Sequence, residues 1–309
     1  MAEAGTRTAF VFPGAGVPCC GAEAELCARH PAAFAPALQL ASRRAGVDFL
    51  SALAGGGIDA IPDRERQHFT YAFGAAFSDL LRARGIEPVA TAGYSFGVYA
   101  AMYAAGAVSL EAGFEILERA YAAMADEIPP SGYGMGIIVG LAAGEIRDLL
   151  EAPAHAALVL ANSNSETCHV LSGPAPALQL ALAAAEARDA ISAKPLPVSI
   201  PYHHPGLLGR ASEALRAFLD GVEIRAPRCP VVSSVDRRAL TAPREIAEFV
   251  AANLSTPICW ALVVPALAEL GAAAVVECGP GVSLAQNARF IDGAPPHASV
   301  RTARGRLGL

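Results

Sequence analysis

The stretch Gly93-Tyr94-Ser95-Phe96-Gly97 carries the residue types and spacing that could do chemistry directly. It lies between a β-like run, Pro88 to Ala92, and an Ala-rich helix-like run, Val98 to Gly106. In a strand-to-helix turn of this kind the flanking glycines clear the way, and the serine hydroxyl projects free of the backbone. The helix that follows directs its first N–H groups toward the serine, where they favour a developing oxyanion. An ordinary turn in an Ala/Gly-rich chain has the same pattern, so the motif needs a partner. A serine hydroxyl is a weak nucleophile at neutral pH and requires a base within hydrogen-bond reach. Seven histidines are available: His30, His68, His155, His169, His203, His204 and His297. Five read as surface or loop residues. His203 and His204 differ, because they follow the end of a strand-like run at a domain crossover, where α/β proteins place ligands. On position, either could be the base.

The elements that must position these residues alternate between strand and helix. Thr8 to Phe12 reads as a strand closed by Pro13-Gly14-Ala15-Gly16. Phe69 to Arg84 and Leu110 to Met124 read as helices, the second stopped by Pro129-Pro130-Ser131-Gly132. This alternation predicts a parallel sheet covered by helices. From Tyr133 the order becomes β-α-β-β-α-β: Met135 to Leu141, Ala143 to Leu150, Leu158 to Asn162, Thr167 to Leu171, Ala175 to Arg188 and Ala193 to Ile200, with a turn at Ser163-Asn164-Ser165. That order is a ferredoxin-like unit. The fold class is therefore an α/β-hydrolase-like parallel-sheet domain, residues 1–131 and 199–309, with an inserted ferredoxin-like α+β subdomain, residues 132–198.

Composition narrows the function classes. With 53% hydrophobic and 17% charged residues over 309 positions the chain is globular and large enough for a substantial core. A formal charge of −6 without a long basic run excludes nucleic acid as the main partner. The run Ile258 to Ala268 is too short to span a bilayer and contains Pro265, so no membrane association is expected. Met1 to Gly5 lacks the pattern of a signal peptide, and a cytoplasmic location is expected. Seven scattered cysteines without a C-x-x-C pair read as reduced thiols, mostly buried, with no metal site. The basic tail from Arg301 to Arg306 reads as a solvated end.

Seven segments, in order, resemble malonyl-CoA:acyl-carrier-protein transacylases and the related polyketide-synthase acyltransferases. Phe10 to Gly16 is similar to their F-x-F-P-G-Q-G, Gly93 to Ala101 to their G-H-S-L-G-E-Y-A-A, and Pro197 to His203 to their P-V-S-V-P-S-H. Asn162 to Ser165, Val231 to Asp236, Asn253 to Trp260 and Glu277 to Gly281 match further segments. The resemblance covers essentially the whole chain and looks like a divergent, discrete member that acts in trans. It implies that Ser95 is acylated and that His203 is general base and then general acid. It further implies that the backbone carbonyl of Asn253 orients the histidine, and that the backbone N–H groups of Ala15 and Phe96 form the oxyanion hole. It implies no tightly bound cofactor; the substrate is a phosphopantetheine thioester. The implied partners are an acyl carrier protein and an acyl-CoA or acyl-carrier donor, with the enzyme a monomer. An acidic carrier protein would need a basic surface, for which Arg237-Arg238 or the tail arginines are candidates.

Departures from the family pattern concentrate around the acyl group. Members that use malonyl or methylmalonyl groups hold the carboxylate with an arginine on the helix after the elbow, a fork suited to a partly buried carboxylate. Counting without gaps from Ser95, that position is Ala120, and Arg119 lies one residue early, about 100° around a helix. Tyr94 stands in place of His, Phe96 of Leu and Val98 of Glu; Tyr202 is bulky where Ser is common, and Gln67-His68-Phe69-Thr70 replaces a T-Q-P-A-like segment. An acyl pocket of Ala120, Tyr94, Tyr202 and Phe69 is expected, less charged and more aromatic than the family's, and fitted to an acyl group without a free carboxylate. Two alternatives stay open: a malonyl transacylase in which Arg119 is the carboxylate binder, and an acyl hydrolase in which water resolves the Ser95 ester.

Overall fold

The computed structural model describes residues 6–129, 131–198, 200–302, 305 and 308–309. Its strands are β1 (Thr8–Phe12), β2 (Pro88–Gly93), β3 (Tyr133–Val139), β4 (Val159–Ser165), β5 (Cys168–Pro174), β6 (Ser192–Pro195), β7 (Val231–Val232), β8 (Ala239–Leu240), β9 (Ile258–Cys259), β10 (Ala274–Glu277) and β11 (His297–Ala298). The larger sheet has the order β11-β10-β1-β2-β7-β8, parallel throughout except for the antiparallel edge strand β8. Both faces of β1 are buried, as a parallel sheet sandwiched by helices requires. Its alternation sends Phe10 and Phe12 into one apolar cluster and Ala9 and Val11 into the other. β1 is flanked by β2 on one side and β10 on the other, so the loops leaving β1 and β2 diverge over a crevice at their carboxyl ends.

β3, β4, β5 and β6 form an antiparallel sheet in the order β6-β3-β5-β4, with helices Ala143–Leu150 and Ala175–Glu186 in the β-α-β-β-α-β order of a ferredoxin-like unit. One sheet face packs Ile138 and Leu171 against Ile146, Leu149, Leu178 and Leu182 of the two helices. The opposite face presents Met135, Ala161 and Val170 to Leu196, Val198 and Tyr202. β9, which belongs to the later part of the chain, adds to this sheet parallel to β4, pairing Asn162 with Ile258 and Ser163 with Cys259. The small sheet therefore crosses the expected boundary of the insert.

Two sequence expectations change here. The strand expected over Ala193 to Ile200 ends at Pro195, because Pro195 and Pro197 lack the N–H donors that would continue the ladder; Ser199 lies outside the described residues, as do Pro130, Arg304 and Arg306. The turn expected at Ser163-Asn164-Ser165 lies later, at Glu166-Thr167, since pairing of Ser165 with Cys168 of β5 keeps β4 extended to Ser165. Among the described residues no helix is long and apolar enough to cross a membrane.

The elbow glycines are required by contact rather than by φ. A Cβ on Gly93 would sit 2.1 Å from the Val98 nitrogen, and one on Gly97 2.1 Å from the Phe12 carbonyl oxygen. Gly97→Ala is therefore expected to destabilise the protein by about 3 kcal/mol, because only backbone could yield. Gly209, inside helix Pro205–Leu219 with nothing near its would-be Cβ, is the control: Gly209→Ala should stabilise by about 0.5–1 kcal/mol. Denaturant unfolding of both variants checks the pair; equal midpoints would refute the contact argument.

Candidate active site

Ser95 follows the end of β2 after Tyr94 and has φ 52°, a left-handed conformation that non-glycine residues adopt at a cost. It is held there from several sides. The Tyr94 N–H donates to the Phe12 carbonyl at 2.9 Å, the Gly97 N–H to the Tyr94 carbonyl at 2.9 Å, and the Asn253 side-chain amide to the Ser95 carbonyl at 3.1 Å. His203 is also left-handed, with φ 60°, and its own N–H donates to the Leu254 carbonyl at 3.0 Å. Two strained residues thus meet across the crevice, 108 positions apart in the chain, with Ser95 Oγ 2.7 Å from His203 Nε2.

The tautomer follows from the partners. His203 Nδ1 faces the carbonyl oxygen of Thr256 at 3.1 Å, and a carbonyl can only accept, so Nδ1 carries the hydrogen. Nε2 is then the lone-pair nitrogen, and the serine O–H donates to it. Complete burial pushes the His203 pKa down to about 4, while the carbonyls of Thr256 and then Asn253 act in the opposite sense. The Asn253 carbonyl, expected to orient the ring, is thus the lesser of two; the Thr256 carbonyl makes the hydrogen bond, and Asn253 contributes mainly through its amide on Ser95. His204, the other candidate base, turns away and places Nε2 3.1 Å from the Ala157 carbonyl.

A cavity of about 110 Å³ opens at this pair. Gly14, Ala15 and Phe96 line it beside Ser95, which puts both expected oxyanion-hole residues at the nucleophile. Tyr94 and Tyr202 also line it, as expected for the acyl pocket. Phe69 does not: it is fully buried against Phe49 and Phe73, with ring centroids 5.8 and 5.7 Å away. Ala120 does not reach the cavity either, although Leu117 and Met124, one turn to each side on helix Leu110–Glu127, do. Its methyl is too short, whereas a long side chain at that position would enter. Arg119 is exposed on the outer side of the helix and does not line the cavity. Beside it, Glu118 pairs with Arg44 at 2.6 Å and His68 at 3.0 Å and does not line the cavity.

Several cavity residues carried no signal in the sequence. Met135, Val170, Leu196 and Val198 come from the exposed-looking face of the small sheet and its exit strand, and become a wall only when that sheet closes over the crevice. His68, His155 and His169, expected at the surface, are buried. The seven cysteines are free, two of them buried and five partly so, and among the described residues no cluster could hold a metal ion. Of the expected carrier-docking residues, Arg238 is occupied by Asp236 and Glu245.

A serine at a nucleophile elbow, hydrogen-bonded to a carbonyl-anchored histidine under a ferredoxin-like cap, defines the acyltransferase fold. Residues 60–292 match the acyl transferase domain model. The chain is 30% identical to the malonyl CoA-acyl carrier protein transacylase of Salmonella typhimurium over 279 residues, 89% of this chain and 90% of that one. It superposes on the malonyl-CoA:acyl carrier protein transacylase of Xanthomonas oryzae with a TM-score of 0.88 and 32% identity, covering 100% and 98% of the two chains. A malonyl-transacylase solved in complex with its type II polyketide acyl-carrier protein gives 0.87 and 26% identity, with 96% and 99% covered. The chain belongs to the acyl transferase domain family.

Because His203 is buried neutral, a reaction that needs its lone pair should keep its rate from pH 7 down to about pH 5. The rate should fall only as the pH nears about 4, where the ring gains a proton and stops accepting from Ser95. Initial rates of Ser95 acylation across pH, read by intact mass over a range where circular dichroism is constant, check this. A midpoint near the ordinary histidine value of about 6.5 would contradict the burial argument.

Proposed function

We propose that this protein transfers acyl groups through an ester on Ser95 to the phosphopantetheine thiol of an acyl carrier protein, and that the acyl group has no free carboxylate. Ser95 Oγ attacks the thioester carbonyl carbon as His203 Nε2 takes its proton. The carbonyl oxygen gains charge against the N–H groups of Ala15 and Phe96. The tetrahedral intermediate collapses with cleavage of the C–S bond, and the leaving thiolate takes the proton from His203. A second thiol then gives its proton to His203, attacks the ester, and releases Ser95 by the same steps reversed. Carrier-protein use is supported by the relative that was solved with its acyl-carrier protein.

Among the described residues no arginine or lysine lines the cavity, and this carries the acyl-group assignment. A carboxylate placed among Leu117, Met124, Met135 and Val170 would lose its hydration with no countercharge to replace it. The similarity to malonyl transacylases favours malonyl instead, and the two readings part on one variant. Wild-type protein should form the Ser95 ester faster from butyryl- than from malonyl-CoA, by about tenfold or more. Ala120→Arg should shift that ratio at least tenfold toward malonyl, the order expected for one buried charge-assisted pair. Arg119→Ala should leave the ratio unchanged. Rapid malonyl labelling of the wild type that Arg119→Ala abolishes would establish the malonyl reading. Release of free acid, undiminished when carrier protein is supplied, would establish the hydrolase.

A further inference from the structure

The side chain that holds Ser95 is itself held. β7 runs parallel to β2 and pairs Val231 with Thr91 and Val232 with Ala92, so the residues after β7 leave the sheet beside the elbow. Ser233 is taken up by its own turn, its hydroxyl accepting from the N–H groups of Val235 and Asp236, each at 3.3 Å. Ser234 is 1% exposed and points its hydroxyl at Asn253 Oδ1, 3.4 Å away. Its backbone carbonyl accepts from the Cys259 N–H at 2.9 Å. Cys259 lies in β9, which pairs with β4, so Ser234 is fixed from the side of the small sheet.

The direction of this chain of bonds is set at its far end. The Ser95 carbonyl can only accept, so the Asn253 atom 3.1 Å from it is the Nδ2 donor. An amide turned the other way would set two carbonyl oxygens against each other. Asn253 Oδ1 also can only accept, so the Ser234 hydroxyl must donate to it. Asn253 is 2% exposed; without that hydroxyl its oxygen is buried and unpaired, and the amide loses the bond that opposes its rotation. The left-handed φ of Ser95, 52°, persists only while its surroundings enforce it. A loosened amide frees the Ser95 carbonyl, and the 2.7 Å contact between Oγ and His203 Nε2 is lost with it. Ser234 does not line the cavity, and the His203 ring keeps its bond to the Thr256 carbonyl. Substrate binding and the base are therefore untouched.

We propose that Ser234 is a positioning residue for the nucleophile, acting on Ser95 through the Asn253 amide. The inference rests on Ser95 being the acylated residue. The test follows Ser95 ester formation by single-turnover intact mass, with butyryl- or malonyl-CoA, whichever labels the wild type faster. Ser234→Ala should slow the saturated rate about three- to tenfold and leave the half-saturating concentration unchanged. Asn253→Ala should slow it at least about tenfold. Adding Ser234→Ala to Asn253→Ala should cost nothing further, since the route to Ser95 is already cut. The midpoint of the rate against pH should be the same in Ser234→Ala as in the wild type. Ser234→Cys, close in size but a weak donor, should lose rate in the same direction and serves if Ser234→Ala does not fold. Losses that multiply in the double variant would mean that Ser234 acts through the fold at large, and would overturn the proposal. So would an unchanged saturated rate, a loss confined to the half-saturating concentration, or a shifted midpoint. No ester on the wild type would overturn the assignment of Ser95 itself, whereas an ester whose rate ignores Ser234 overturns only the role of Ser234.

Discussion

The active site depends on how closely the turn after β2 approaches the end of β1. Gly97 packs so near the Phe12 carbonyl that any side chain would collide with it, and Gly93 folds back on Val98. This contact drives Ser95 into a left-handed conformation and brings the Pro13-to-Gly16 loop to its side. The strain is sustained by hydrogen bonds that end on the same few residues: Tyr94 to Phe12, Asn253 to Ser95, and His203 to Leu254. Phe12, Asn253, His203 and Leu254 are buried and Tyr94 and Ser95 half-buried, so these bonds are not exchanged for water without loss.

Electrostatics of the site follow from the same burial. His203 is kept neutral because its ring is desolvated, and the carbonyl of Thr256 decides which nitrogen bears the hydrogen. No carboxylate is needed for that role. A carbonyl fixes the tautomer while placing less charge in the crevice than a carboxylate would. The cavity beyond is correspondingly apolar, with Ala120 leaving unfilled the reach a longer side chain would have on helix Leu110–Glu127. The polar groups on the cavity wall away from Ser95 and His203 are neutral, those of Gln67, Tyr94, Asn162, Tyr202 and Asn253 among the described residues.

The chemistry was more legible in the chain than the cavity was. Ser95 between two glycines declares a turn that only glycine can make; position after a strand-like run narrowed the expected base to His203 or His204, and the resemblance of Pro197 to His203 pointed to His203. Which of the two faces Ser95 was decided by the left-handed φ of His203, which sends the next ring toward Ala157. Phe69 looked like a pocket residue because it sits in a divergent segment. A phenylalanine on a helix with apolar spacing has its direction set by its neighbours, and Phe49 and Phe73 draw it into the core. For Ala120, counting along one helix put it between Leu117 and Met124, which line the cavity, although its own methyl does not reach it.

By itself the sequence determined the parallel sheet, the ferredoxin-like insert and the elbow with Ser95 at its apex. These depend on periodicity and on turns, which are properties of neighbouring residues. Tertiary structure alone decided the partner of His203 Nδ1 and the cavity wall of Met135, Val170, Leu196 and Val198. These arise where β9 joins the small sheet and closes it over the crevice, bringing together segments far apart in the chain. Which polar atoms keep a partner and which do not depends on that closure.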